Sequence, residues 1–285
     1  MAAGMGSRFG GLKQLESIDD NGNFIIDYSI FDAIRVGFDK IVFVISKDNY
    51  DIFKTTIGER ISKKVKVSYV FQSNENLKID RQKPLGTGYA VLLTKNEISG
   101  NFAVINADDY YGYECFEKLA KELKSLKDDE FCMGVFKLKN TLSSFGNVTR
   151  GVCSINNNYL QEINECEVTQ TNNGLVAKKL CDNSNFEINN DTPVSMNIFG
   201  FSKNIFNFLE SDFNEFLKDE KNIKTGEFFL PTVVTKAIKN KLIKVKTFTT
   251  NSKWLGLTYL KDVENVRKNI KELINKGNYP KNLWK

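Results

Sequence analysis

Met1-Ala2-Ala3-Gly4-Met5-Gly6-Ser7-Arg8-Phe9-Gly10-Gly11-Leu12-Lys13-Gln14 opens the 285-residue chain. Closely spaced glycines, small residues, one arginine and one lysine fall in a single short loop. Glycines let backbone N–H groups approach phosphate oxygens with no Cβ in the way, and two cations offset the charge of a triphosphate. Two familiar phosphate loops fit poorly. A Walker-type loop needs Lys directly after Gly and then Ser or Thr; here Leu12 separates Gly11 from Lys13, and Gln14 follows. A dinucleotide fingerprint begun at Gly4-x-Gly6 needs glycine where Phe9 stands. A plain glycine turn at the surface leaves Arg8 and Lys13 without a reason to be there.

Outward from this loop, apolar runs alternate with helical patterns. Ile41 to Ile45 reads as a buried strand, followed by a helical stretch near Asn49 to Gly58, and Val65 to Phe71 reads as a second strand. Thr87 to Lys95 is helical, Phe102 to Ile105 is a strand, Tyr113 to Leu126 is helical, and Phe131 to Phe136 is a strand. Such alternation predicts a mostly parallel sheet with helices on both faces. From about Phe145 to Phe201, Asn- and Gly-rich turns separate short alternating runs (Val148 to Ile155, Tyr159 to Ile163, Val194 to Phe201), which predicts a small antiparallel insert. Helical patterns return at Lys203 to Leu217, Phe228 to Lys239 and Leu260 to Lys276, with a strand at Ile243 to Phe248. Neither an internal repeat nor a long linker divides the chain, so one domain is expected over 1–285.

Composition narrows the chemistry. The net charge of +5 comes from 34 Lys and 6 Arg spread among acidic residues, which reads as a solvated surface rather than a nucleic-acid footprint. It would still help draw in a phosphorylated substrate. Histidine is absent, which removes His-based triads, His-ligated zinc and imidazole bases together. Five cysteines with no CxxC pair suit reduced thiols in a cytoplasmic protein. The apolar runs are strand-length, and neither a signal peptide nor a membrane span is expected.

Two further segments carry chemistry. In Lys83-Pro84-Leu85-Gly86-Thr87-Gly88-Tyr89-Ala90-Val91, Pro and Gly fix a turn and a helix begins, so backbone N–H groups should be exposed there. In Val104-Ile105-Asn106-Ala107-Asp108-Asp109-Tyr110-Tyr111-Gly112, a buried strand delivers two carboxylates at its carboxyl end, where open α/β sheets bind ligands. Adjacent acids would repel if both pointed inward, so one should take a metal and the other face away or cap. Carboxylate oxygens and water suit Mg²⁺.

The opening motif, Ala2 to Arg8 with Lys13-Gln14, resembles the signature of nucleoside-triphosphate transferases acting on sugar 1-phosphates. The resemblance extends along the chain. Lys83 to Val91 resembles the family's GTGHAV element with Tyr89 in place of His, and Gln72 stands where a glutamine often pairs with the base. Phe145-Gly146 resembles its Tyr-Gly element. Ile163-Asn164-Glu165 resembles its I-x-E-K, with Cys166 in place of the phosphate-contacting lysine. Ser195 to Phe201, Gly226 to Pro231 and Trp254 to Thr258 resemble SMNxWGF, EFFLP and WFGVT elements of a bacterial subgroup.

The resemblance implies a Rossmann-like three-layer sandwich of the nucleotide-diphospho-sugar transferase type, with a nucleotide-binding half at 1–140 and an acceptor half at 141–285. It implies transfer of a nucleoside monophosphate from a nucleoside triphosphate to a sugar 1-phosphate, releasing pyrophosphate. Arg8 and Lys13 would be catalytic. Ala3, Gly4, Gly6, Ser7, Gln72, Gly86 and Thr87 would bind the nucleotide, and Gly146, Glu165 and Asn197 the acceptor. Mg²⁺ would sit on Asp108, with Asp109 the weaker candidate. Met196, Phe199 and Phe201 are expected in the core. A homo-oligomer is allowed. The alternatives are a cytidylyltransferase for phosphocholine or another phospho-alcohol, and a nucleotide-binding protein that has lost catalysis. Two departures feed that last reading: Cys166, and Gly256 where better-known relatives carry an Asp that supplies a second metal ligand. The resemblance also places a buried central strand before Ala2, so a shortened start is expected.

Overall fold

Of the apolar run Ile41 to Ile45, Phe43, Val44 and Ile45 are buried and Ile41 and Val42 half-buried in a computed structural model, which describes residues 1–3, 16–73, 77, 81, 83–143, 146–171, 174–257 and 260–285. α1 (Ile25–Arg35) precedes β1 (Lys40–Ile45); α2 (Tyr50–Phe53) runs through one π turn into α3 (Glu59–Ser62) before β2 (Lys66–Phe71). α4 (Thr87–Leu92), β3 (Phe102–Val104), β4 (Asp109–Tyr110) and α5 (Tyr113–Leu123) follow. Then come β5 (Glu130–Lys137), β6 (Val148–Asn156), β7 (Tyr159–Thr171), β8 (Gly174–Lys179), β9 (Asn185–Ile188) and β10 (Pro193–Phe201). α6 (Ile205–Phe216), α7 (Glu220–Thr225), α8 (Leu230–Lys239), β11 (Lys244–Thr249), β12 (Leu255–Gly256) and α9 (Asp262–Asn275) complete the chain.

Strand pairing among the described residues is mixed. β1 pairs with β2 in parallel, and β11 with β5 in parallel. The largest sheet runs β11-β5-β10-β6-β7-β8-β9, with β3 on β10. Its remaining pairs are antiparallel, because the β6–β9 meander joins it through β10. β12 and β4 form a separate antiparallel pair.

β5 shows why its sequence is an unbroken apolar run. Phe131, Met133 and Val135 pack with Phe206 and Leu209 of α6 and Val234 of α8, while Cys132 and Phe136 pack with Phe116 and Leu119 of α5. A strand covered on both faces has no polar positions to alternate. Met196, Phe199 and Phe201 are core residues, all under a tenth exposed.

Met1–Ala3 threads between β1 and the segment after β3. Ala2 N–H donates to Val44 O at 2.7 Å, the Met1 α-amino group to Ile105 O at 2.8 Å, and Ala107 N–H to Met1 O at 2.9 Å. Burial lowers the α-amino pKa to about 6, opposed by the nearby Asp108 and Asp109. Between β1 and β3 lies a cavity of about 200 Å³, lined by Val42, Ala103, Val104 and Phe116 among others.

A buried polar network ties α1 to the C-terminal segment. Tyr279 donates its hydroxyl to Asp32 at 2.5 Å and lies 2.9 Å from the Tyr110 hydroxyl. Burial pushes the Asp32 carboxyl up to about 7, with the Tyr279 hydrogen bond and Arg35 pulling the other way. Folded protein therefore keeps this proton over the window from about 4 to about 7, where the unfolded chain gives it up. Stability from this group is full at the acid end and is lost as pH rises through that window. Urea midpoints should fall further between about pH 5 and pH 8 in wild-type protein than in Asp32→Asn. Equal falls would contradict the assignment.

Candidate active site

β3 ends at Val104, and the chain turns through Asn106 and Ala107 to present two acids at the sheet's carboxyl end. They are not equivalent. Asp109 is 5% exposed, and its Oδ2 accepts from Asn106 Nδ2 at 2.9 Å and lies 3.2 Å from the Tyr111 hydroxyl. That hydroxyl also accepts from Asn106 N–H at 3.0 Å and sits 3.0 Å from Met196 O, so it clamps the acid turn to β10. Asp108 is half-buried, and its carbonyl accepts from Leu257 N–H at 3.3 Å. Asp109 is thus built into the framework, and Asp108 is the more accessible carboxylate of the two.

Gly256 faces Asp109 across the β12–β4 pair. A Cβ at Gly256 would lie 2.2 Å from two carbons of the Trp254 ring and 2.9 Å from Asp109 Oδ1. The indole fills the space a side chain at 256 would need. Gly256→Ala should cost about 1–3 kcal/mol by overpacking, read as a lower urea midpoint at unchanged m. A midpoint equal to wild type would show that Trp254 can move aside.

On the other flank, Gln72 N–H donates to Ile45 O at 2.8 Å, which fixes the residue at the carboxyl end of β1. Its Nε2 donates to Gly86 O at 3.1 Å. Gly86 has φ +109°, and a Cβ there would lie 2.7 Å from Phe228 O. Leu85 O accepts from Phe228 N–H at 2.6 Å, and Gly88 N–H donates to Phe228 O at 2.8 Å, so one expected open donor of the turn is already used. Thr87 Oγ1 accepts from Leu230 N–H at 3.0 Å, which ties α4 to the start of α8. The structure therefore brings Gln72, Gly86 and Thr87 together. Ala3 lies between β1 and the acid turn, and Gly4, Gly6, Ser7, Arg8 and Lys13 lie outside the described residues.

The expected acceptor residues are spread from the segment before β6 through β7 to β10. Gly146 is exposed just before β6. Glu165 on β7 pairs with Gly151 on β6, which pairs with Ser195 on β10; the missing side chain at Gly151 makes room for the Glu165 carboxylate. Burial raises the Glu165 pKa, opposed by Arg150. Asn197 sits at φ +59°, where the β10–β5 register shifts between Ser195 and Phe199, and its N–H donates to Ser195 Oγ at 3.2 Å. Bulges of this kind re-aim side chains beside sites.

Sequence reasoning missed Arg150 and Tyr111. Arg150 is 6% exposed and packs its guanidinium 4.7 Å from the centre of the Trp254 ring. Its only sequence signal was rarity, one of 6 arginines in a lysine-rich chain.

Among the described residues no group of three or more Asp, Glu or Cys could hold a metal alone. Asp108 nevertheless fits Mg²⁺, which takes one or two carboxylates and completes its shell with substrate phosphates and water.

The α/β fold, with parallel and antiparallel strand pairs, is that of the nucleotide-diphospho-sugar transferases. Two solved structures share it. One is the inositol-1-phosphate CTP transferase from T. maritima, at TM-score 0.64 and 18% identity over 95% of this chain and 94% of that one. The other, from Bacillus anthracis, is described as a glucose-1-phosphate thymidylyltransferase in complex with a sucrose, at TM-score 0.67 and 14% identity over 95% and 93%. The chain belongs to the nucleotidyl transferase family, whose model matches residues 1–271. It is also 34% identical over 106 residues to the bifunctional protein GlmU of Methanococcus vannielii. That stretch is 37% of this chain and 23% of the relative, so the chain spans under a quarter of the curated protein it matches.

Proposed function

We propose that the protein transfers a nucleoside monophosphate from a nucleoside triphosphate to a phosphate monoester, a sugar 1-phosphate, releasing pyrophosphate. The observation that carries this reading is the path of Met1–Ala3. The glycine-rich sequence starts from a segment hydrogen-bonded to the ends of β1 and β3, with Gln72 on one side and Asp108 on the other. A phosphate oxygen of the acceptor attacks the α-phosphorus, the new P–O bond forms, and the bond to the β,γ-pyrophosphate breaks. Phosphate monoesters have a second pKa at about 6, so the nucleophile is largely deprotonated near neutral pH and needs no general base. That agrees with a chain that has no histidine. What remains is to position two anions and neutralise them.

In this reading Arg8, with its planar fork, and Lys13, as a point charge, take the triphosphate. Gln72 and the Gly86 turn take the base. Mg²⁺ held by Asp108 and the nucleotide's phosphates would supply charge neutralisation at the phosphoryl group. Asp109 and Tyr111 keep Asp108 in place, and Glu165 and Asn197 serve the acceptor. Free thiols at all five cysteines accord with a cytoplasmic location. A phospho-alcohol acceptor with CTP is the second reading, favoured by the likeness to the inositol-1-phosphate CTP transferase.

The test is a pyrophosphate-release screen of the four nucleoside triphosphates against sugar 1-phosphates and phospho-alcohols with Mg²⁺. The expected result is release that requires one nucleotide and one acceptor together. Nucleotide binding without release across the whole panel would replace this reading with that of a binding protein.

A further inference from the structure

Arg150 is a buried cation with no ion-pair partner among the described residues. Its Nε donates to Thr141 Oγ1 at 3.2 Å, Nη1 to Thr149 O at 2.8 Å, and Nη2 to Thr141 O. All three acceptors are uncharged. A guanidinium has five N–H donors, so one N–H on each terminal nitrogen is left without an acceptor among the described residues. Buried charges are ordinarily paired, because desolvation of an unpaired one is costly. The acids whose fields reach Arg150 are Asp109, Asp262 and Glu165.

Its surroundings place this charge beside the acid turn. The Trp254 ring lies under the guanidinium on one side and against Gly256 on the other, and Gly256 pairs with Asp109. The cation is therefore separated from the acid turn by little more than an indole. Trp254 Nε1 is itself buried without a hydrogen-bond partner among the described residues, a second orphan donor next to the first. Across the β6–β7 pair Arg150 is directly opposite Cys166. Paired residues share a face of the sheet, and a side chain as small as cysteine leaves room for the arginine head.

We propose that Arg150 binds the phosphate of the acceptor monoester through the two N–H groups that have no acceptor among the described residues, with Trp254 Nε1 as an adjoining donor. The planar fork matches two phosphate oxygens at once. Bound phosphate supplies the missing anion, and the Trp254 stack and the Thr141 contacts hold the fork before the substrate arrives. This rests on the nucleotidyl-transfer reading above, which the experiment tests separately.

Calorimetric titrations of MgCTP, MgUTP, MgATP, MgGTP, inorganic phosphate and glucose 1-phosphate would be run on wild-type, Arg150→Gln, Arg150→Lys and Trp254→Phe proteins. Loss of two charge-assisted hydrogen bonds should weaken phosphate and glucose 1-phosphate by about tenfold or more in Arg150→Gln. The nucleotide affinity should stay within about twofold, Arg150→Lys should recover part of the loss, and Trp254→Phe should show a smaller loss. Equal phosphate affinity in wild type and Arg150→Gln overturns the assignment. So does an equal loss of nucleotide and phosphate affinity in both Arg150 variants, which marks a structural residue. Wild-type protein that binds nucleotide but neither phosphate probe overturns Arg150 alone; binding of no nucleotide removes the underlying reading and the assignment with it.

Discussion

Asp108→Asn should lower pyrophosphate release by about a hundredfold or more, the usual cost of removing a preorganised charge from a phosphoryl-transfer site, with the melting curve unchanged. The reason lies in the contrast with its neighbour. Asp108 is half-buried at the mouth of the site, whereas Asp109 is buried and held by Asn106 and Tyr111. An amide at 108 keeps size and shape but loses the negative charge that a cation requires. Asp109→Asn should instead cost stability, by about 1–3 kcal/mol, because it puts an amide into a network built around a carboxylate. Lys13→Ala should resemble Asp108→Asn in losing most turnover. Near-normal kinetics in Asp108→Asn, or a larger stability loss at 108 than at 109, would sink the assignment.

Gly86→Ala should destabilise the protein by about 2–4 kcal/mol, the sum of backbone strain and overpacking. At φ +109° a Cβ is strained whatever the space, and here it would also meet backbone: Phe228 O at 2.7 Å and Phe228 N at 2.8 Å. Backbone cannot swing aside as a side chain can. The Leu85–Phe228–Gly88 hydrogen bonds would part, and with them the carbonyl that Gln72 holds. Urea unfolding should show the lost stability, and the nucleotide KM should rise even where the protein remains folded. An unchanged midpoint would mean that the turn is looser than its contacts imply.

Elements whose burial is a local property were legible in the sequence. β1 and β5 announced themselves as apolar runs, and α6 and α8 by helical spacing. α1 did not, because Asp27, Ser29 and Asp32 interrupt its apolar pattern and are buried nonetheless through tertiary partners: Arg60 and Trp284 on Asp27, Asp109 O for Ser29, Tyr279 on Asp32. β8 and β9 were missed because much of each faces solvent at the end of the meander. β7 runs to Thr171, well past the expected stop at Ile163, since its second half is paired with β8.

The site followed the same division. The family resemblance pointed to Gln72, Gly86 and Asp108 because each sits on a short local segment that the resemblance covers. The meaning of Arg150 depends on a register with Cys166 on another strand and on an indole more than a hundred residues away in the chain, and spacing alone carries neither. Gly256 could be read as a departure, but not that Trp254 had filled the gap.

One consequence of that packing is optical. The chain has two tryptophans. Trp284 bonds Asp27 at 2.9 Å near the C-terminus, whereas Trp254 is pressed between a guanidinium and the glycine opposite Asp109. If Arg150 takes the acceptor phosphate as proposed, the indole beneath it is a native fluorophore beside an arriving charge, and its emission should change as phosphate is titrated, without any label.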